Sequence, residues 1–395
     1  MSRSQPSRDR MNTLRQIPFA RPWITDDDRK AVLEVLEGHI LTHGPQCKQF
    51  ESEFAKFLGD GAHCVTVSSC MAALHLSYLH FGIGLGDEVI VPAQTHTATA
   101  HAVEWVGATP VFVDCDLQTG NLTPEGIAAA ITPRTKAISV VHFAGIPCDM
   151  PAIMSIAQQH KVKVIEDCAI ALGARYGGRH VGLFGDAGCF SFYPVKHMTT
   201  GEGGMFVSCH EAVAQAVSKL RAFGVDRTHS ERTLPGMYDV PSLGLNYRMS
   251  EIQAALGCSQ LRRMGEVLAK RAALFNLYCR LLAGLLEIRV IDAAVSEARS
   301  SHYCVSVVLE GRLGMKRDEI VTRLDAAGIG TSIYYPQPVP RMTYYRKKYG
   351  FTPGRFPWAE RISDQSVALP LGMHLDDSDV EFVVTTFKDI LKSVI

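Results

Sequence analysis

The chain has 395 residues, 47% of them hydrophobic and 20% charged, with a formal net charge of zero. That length allows a large core and more than one domain. The balanced charge removes the strong field that draws a protein to nucleic acid or an anionic membrane, and no apolar stretch is long enough to span a membrane.

The eleven cysteines include no CxxC pair and are odd in number. They fit a reduced, cytoplasmic protein better than a disulfide framework, and no metal site is expected. The start, Met1 to Arg10, lacks the apolar core of a signal peptide. Residues 1–16 are expected to form a disordered tail, and Met11 could serve as an alternative start.

In chain order, Val65 to Ser68 reads as a strand, followed by a tight turn and a helical pattern from Met71 to Phe81. Glu88–Pro92, Pro110–Asp114 and Ala137–Val141 are β-branched runs bounded by turn residues, as buried strands are. Pro151–His160 has helical spacing, and the strand pattern from Val162 ends in two carboxylates, Glu166 and Asp167. Gly188–Tyr193 and Met205–Ser208 are apolar runs flanking a polar, glycine-bearing loop. Strands alternating with helices imply a mostly parallel sheet covered on both faces. Beyond Leu261 the pattern changes to a long helix over Met264–Leu285, a strand over Tyr303–Leu309, a helix over Asp318–Ala327 and a last helix over Asp377–Val394. That mix suits a smaller α+β domain, with the long helix as a bridge or hinge.

Three features carry chemistry. Lys196 sits in the loop after Gly188–Tyr193, where desolvation would lower its pKa and make it a nucleophile toward an aldehyde. Most lysines are merely solvated. Asp167 lies at the carboxyl end of a strand, where ligands collect in parallel sheets, and a carboxylate there can keep a pyridine nitrogen protonated. Its ordinary role would be a cap. The helix start at Ser69, Cys70 and Met71 offers free amides and a positive dipole end to a phosphate, although a serine there is equally a plain helix cap.

Together these segments resemble the DegT/StrS family, the sugar aminotransferase branch of pyridoxal-phosphate enzymes with the aspartate aminotransferase fold. The matching pieces are Gly44-Pro45, Val67–Leu74, Gly86–Pro92, Gly107–Asp114, Glu166-Asp167, Ser191–Gly204 and Gly244–Glu251. They fall in the family's order within a resemblance that runs from about Pro18 to the C-terminus. The resemblance implies a type I fold: a large domain, residues 17–262, with a mostly parallel seven-stranded sheet flanked by helices, and a smaller α+β domain, residues 263–395. It implies pyridoxal 5′-phosphate as cofactor and Lys196 as its Schiff-base lysine, with Asp167 against the pyridine nitrogen. The backbone of Cys70 and Met71, with Ser69 and Ser191, would meet the phosphate, and His96 would stack on the ring. Asn246 and Arg248 fall in a segment that relatives insert into the neighbouring subunit's site, so a homodimer with shared sites is implied.

This chain departs from the pattern in two places. Relatives usually have Thr where Met71 stands, so one hydroxyl contact is absent. They usually have Gln or His where Ile170 stands, near the cofactor's phenolic oxygen, and Ile cannot donate a hydrogen bond.

The implied activity is ping-pong transfer of an amino group, from glutamate in most relatives, to a keto-deoxy sugar carried on a nucleotide. Such chemistry belongs to amino-sugar and polysaccharide biosynthesis. Substrate-contact candidates are His43, Tyr193, Arg227, His229, Arg248 and Tyr335. A sugar dehydratase, another type I enzyme or a non-catalytic regulatory homologue are the alternatives. Dehydratase relatives replace the lysine with His, whereas here the lysine is present.

Overall fold

A computed structural model describes residues 15–59, 61–226, 234 and 236–394. The expected tail lies outside the described residues as far as residue 14. Arg15, counted with that tail, is held by Asp379 at 2.9 Å. Ile17 pairs with Ile329 and is buried against the C-terminal part of the chain.

The first part runs through α1 (Asp26–Glu37), α2 (Pro45–Leu58), β1 (His63–Val67), α3 (Cys70–His80), β2 (Glu88–Pro92), α4 (Thr97–Trp105), β3 (Thr109–Val113), α5 (Pro124–Ala130), β4 (Thr135–Val141), α6 (Met150–His160) and β5 (Lys163–Asp167). It continues through β6 (Arg175–Tyr176), β7 (Arg179–His180), β8 (Ala187–Ser191), β9 (Gly204–Ser208), α7 (Glu211–Leu220) and α8 (Glu251–Leu261). Helix starts follow the local chemistry. Ser69 caps α3 through Ala72 N at 3.1 Å, Asp149 caps α6, and Pro occupies the first turn of α2, α5 and α6, where its missing N–H costs nothing.

Seven strands form one sheet in the order β1-β9-β8-β5-β4-β2-β3. Only β9 runs against the others. Strands β2 and β9 are buried at every position, as expected of a sheet covered on both faces. Because β9 is reversed, its first residue, Gly204, lies at the edge where the other strands end. Gly204 pairs with Val67 on one side and Ser191 on the other. The loop carrying Lys196 spans β8 to β9 at that edge.

The later elements are α9 (Met264–Leu282), β10 (Ile288–Val290), β11 (Ala298–Arg299), β12 (Val305–Leu309), α10 (Arg317–Ala326), α11 (Thr343–Tyr349), α12 (Pro357–Gln365), β13 (Ser366–Leu369) and α13 (Asp377–Val394). Strands β10-β12-β13 form a second, antiparallel sheet. Its apolar face packs on α9, α10 and α13 through Leu274, Val307, Leu324 and Phe387. The short strands β6, β7 and β11 make a third, antiparallel sheet that the sequence did not reveal, because two-residue strands carry no readable period. The periodicity extended the α9 pattern to Leu285, but the helix ends at Leu282. Ala283-Gly284 follows it, and Gly284 has a left-handed φ of 82°, which breaks the helix.

Candidate active site

At the carboxyl edge of the seven-stranded sheet, α3 points its amino end inward. The amides of Cys70 and Met71 precede the first intrahelical bond, since Ala72 N goes to the Ser69 hydroxyl and Ala73 N to Ser69 O. Gly204 is required beside this turn: a Cβ there would lie 2.5 Å from the Ser69 carbonyl carbon and 2.7 Å from Cys70 N. Glycine there lets β9 pack directly against the start of α3. The Ser69 side chain is spent as a cap. Ser191, half-buried at the end of β8, accepts Tyr193 N at 3.4 Å.

Asp167 ends β5 and is 4% exposed. Its carboxylate accepts the Thr99 hydroxyl at 2.8 Å, Ala169 N at 3.0 Å and, more weakly, the Cys70 thiol at 3.7 Å. No ion pair to it occurs among the described residues. A buried carboxylate supported only by neutral donors is ready for a cationic partner. Burial pushes the Cys70 thiol well up, and Asp167 beside it adds to that, so Cys70 stays a thiol donor.

The Lys196 amide is fixed by Tyr193 O at 2.9 Å, and its Nζ stands 5.1 Å from the Tyr303 ring centroid. Burial holds the Lys196 amine below its ordinary pKa, against the opposing pull of Asp167 and Cys70. Tyr303 shares a 2.8 Å hydroxyl bond with Tyr334. His197 points elsewhere: its Nε2 lies 3.0 Å from Ser301 O, and burial keeps it neutral.

His96 is the cap of α4 and accepts Ala98 N on Nδ1 at 3.1 Å. The hydrogen of the neutral ring is therefore assigned to Nε2. Burial lowers its pKa, with Asp167 and Lys196 both within electrostatic reach. Tyr335 meets His96 edge-on, with centroids 5.9 Å apart. Burial raises the Tyr335 phenol, and Asp167 contributes to that shift. Ile170 is 2% exposed in an apolar cluster with Phe143, Tyr303 and Tyr335. Gln94, a candidate substitute donor, is tied to Tyr334 O at 2.8 Å and to the Ser363 hydroxyl at 2.9 Å.

The structure thus gathers Lys196, Asp167, Cys70, His96 and Tyr335. It does not bring Asn246, Arg248 or His43 to them. Asn246 is exposed and bridges to Ala222, Arg248 lies over the Phe223 ring at 5.0 Å, and His43 is exposed with a left-handed φ of 60°. Tyr193 is 47% exposed. Arg227 and His229 lie outside the described residues.

Thr99, Tyr303 and Tyr334 were missed. An isolated Thr or Tyr carries no motif, and only the fold brings them near Asp167 and Lys196. Glu166, beside Asp167, is structural. It accepts Gly182 N, Phe184 N and Gly185 N, and it faces His142 Nε2 at 3.0 Å. His142, Glu166 and Cys168 are the one cluster among the described residues with metal-ligating atoms close together. Its imidazole and carboxylate are already engaged by those partners, and burial raises the Cys168 thiol.

Residues 22–388 match the DegT/DnrJ/EryC1/StrS aminotransferase family. The chain is 39% identical over 383 residues to the spore coat polysaccharide biosynthesis protein SpsC of Bacillus subtilis (strain 168), covering 95% of this chain and 97% of the relative. Among solved structures, the putative sugar aminotransferase Spr1654 of Streptococcus pneumoniae, in its PMP form, superposes with a TM-score of 0.91. It is 30% identical, with 96% of this chain and 100% of that chain covered. Helicobacter pylori PseC, an aminotransferase involved in the biosynthesis of pseudoaminic acid, gives a TM-score of 0.90 at 26% identity over 96% and 100% of the two chains.

Proposed function

The chain belongs to the DegT/DnrJ/EryC1/StrS aminotransferase family, a family of pyridoxal-phosphate-dependent sugar aminotransferases, and on that premise we propose its site assignments, donor and acceptor. Lys196 is the lysine that holds the cofactor, and Asp167 is its ring partner. The amino donor is glutamate, and the acceptor is a keto-deoxy sugar carried on a nucleotide. The two half-reactions alternate in ping-pong order. Residues 17–262 form the cofactor-binding domain and residues 263–395 the smaller one.

The residues present fit the cofactor. The α3 amides that precede the first intrahelical bond suit a phosphate. Asp167, buried with no ion pair among the described residues, suits a protonated ring nitrogen. His96 and Tyr335 offer flat apolar surface for the ring. When bound, pyridoxal phosphate supplies an electrophilic carbonyl and a ring that takes up an electron pair from the substrate carbon.

The chain's own groups do the rest. Desolvation leaves the Lys196 amine with less affinity for its proton than a surface lysine has, so Nζ can both take a proton and return it. Asp167 oxygens, fixed by Thr99 and Ala169, would hold the proton on the ring nitrogen of a bound cofactor. Tyr303, tied to Tyr334, covers one side of Nζ and limits water there.

Subunit sharing is supported by exposed apolar side chains. Leu36, Ile40 and Leu41 are about half exposed and Leu243 is 94% exposed, apolar surface that an association interface would cover. Asn246 follows Leu243 closely. In a twofold dimer it would complete the partner's phosphate site rather than its own.

The observation that carries the reading is a desolvated lysine within electrostatic reach of a buried carboxylate that makes no ion pair among the described residues, both at one sheet edge. The test is an absorption spectrum of the purified protein. A visible cofactor band should be lost when glutamate is added and return with a nucleotide-linked keto sugar. A band that glutamate leaves unchanged, with another amino donor active, would overturn the donor assignment. No band at all would overturn the site.

A further inference from the structure

Arg175 of β6 and Arg299 of β11 are direct partners across an antiparallel pair. Directly opposed side chains leave the same face of a ladder, and like charges in that position destabilise it. Neither guanidinium meets a carboxylate among the described residues. Arg175 Nη1 donates to Gly178 O at 2.9 Å, and the Arg299 guanidinium has no hydrogen-bond or ion-pair partner there.

Both arginines line a cavity of about 120 Å³, completed by Ser300, His302, Phe57 and Leu268. His302 is held in a left-handed conformation, φ 50°, with its amide bonded to the Ser300 hydroxyl at 3.0 Å. Non-glycine residues seldom adopt that region. The His302 ring stacks on Phe275 at 4.3 Å, and its Nδ1 is buried with no partner. Burial, with Arg271 and Arg299 adding to it, pushes His302 down to about 4. The ring is therefore neutral near pH 7 and adds no third positive charge.

We propose that this cavity is a binding site for one small oxyanion, inorganic phosphate. Two opposed guanidinium groups offer the planar donor forks that phosphate oxygens accept. The anion would cancel the repulsion that the ladder register imposes. The cavity is separate from the phosphate cradle at α3, yet it lies on the segment that reaches the lysine. Ser301 O accepts His197, and the Tyr303 ring lies beneath Lys196. The proposal does not depend on which sugar the enzyme uses.

The test is isothermal titration of the purified holoenzyme with inorganic phosphate, against chloride at equal ionic strength. The parent should show saturable binding. Arg299→Gln and Arg175→Gln should each weaken it tenfold or more. In phosphate-free buffer each variant should unfold at a temperature equal to or above the parent's, because one of the opposed charges is gone. Added phosphate should raise the unfolding temperature of the parent and not of the variants. Absence of saturable binding would overturn the proposal. So would equal affinity in parent and variants, which would place the anion elsewhere. The readout is binding and stability, so it stands apart from any failure of the transamination reading.

Discussion

The Thr99 hydroxyl donates to Asp167 Oδ2 at 2.8 Å, with both groups buried. A hydrogen bond to a charged group contributes about 1.5–3 kcal/mol. Thr99→Val should lower unfolding stability in denaturant by about that amount and loosen cofactor retention, and Thr99→Ser should restore both. Unchanged stability in Thr99→Val would show that the bond does not hold the carboxylate.

Asp167→Asn keeps the shape of the side chain but removes the charge that, in the proposed role, would hold a ring proton. Cofactor should still bind through the α3 amides, while most of the activity is lost. Single-turnover rates with glutamate are the measurement. A rate within a few-fold of the parent contradicts the role.

Lys196→Ala should abolish turnover while leaving the fold intact. In the proposed role the position supplies both the covalent attachment and the proton carrier, and positioned proton transfer alone contributes about 10²–10⁴-fold. Circular dichroism should match the parent. Appreciable multiple turnover would sink the assignment.

Stability against pH tests the desolvation of Lys196 directly. Its folded pKa is lowered from 10.5, chiefly by burial. Between the lowered value and the ordinary one, the unfolded chain carries a proton that the folded chain has lost. Stability of the cofactor-free protein should therefore rise with pH across that window. Lys196→Met removes this contribution to the rise and should be more stable than the parent at neutral pH, where the parent buries a charge. Parallel stability curves for the two proteins would mean that the amine is solvated.

Ile170 packs among Phe143, Tyr303 and Tyr335. Ile170→Gln introduces a donor into that apolar space. If the amide reaches the cofactor's phenolic oxygen, it should lower the pH midpoint of the cofactor's visible absorption, because a bond to the ionised form favours it. Without cofactor the buried amide should cost about 1–3 kcal/mol of stability. Superimposable titrations of parent and variant would leave Ile170 a packing residue only.

The sequence by itself determined the alternation of strands and helices through the first part of the chain, because β-branched runs and helical spacing are local patterns. Lys196 in its glycine-bearing loop and Asp167 at a strand end were legible only as positional candidates, and the ordered family motifs around them supplied their expected roles. Tertiary structure alone decided what surrounds them. The reversal of β9 brings Gly204 against the Ser69-Cys70 turn. Thr99 reaches Asp167 because β2 and β5 both flank β4, so the start of α4, which follows β2, lies beside the end of β5. The Tyr303–Tyr334 pair arrives from the C-terminal part. Arg175 and Arg299 face each other only through a ladder of two-residue strands. Such contacts join residues far apart in sequence, and no local propensity encodes them. They follow from which strands pair and in which direction, and burial of the whole sheet fixes that.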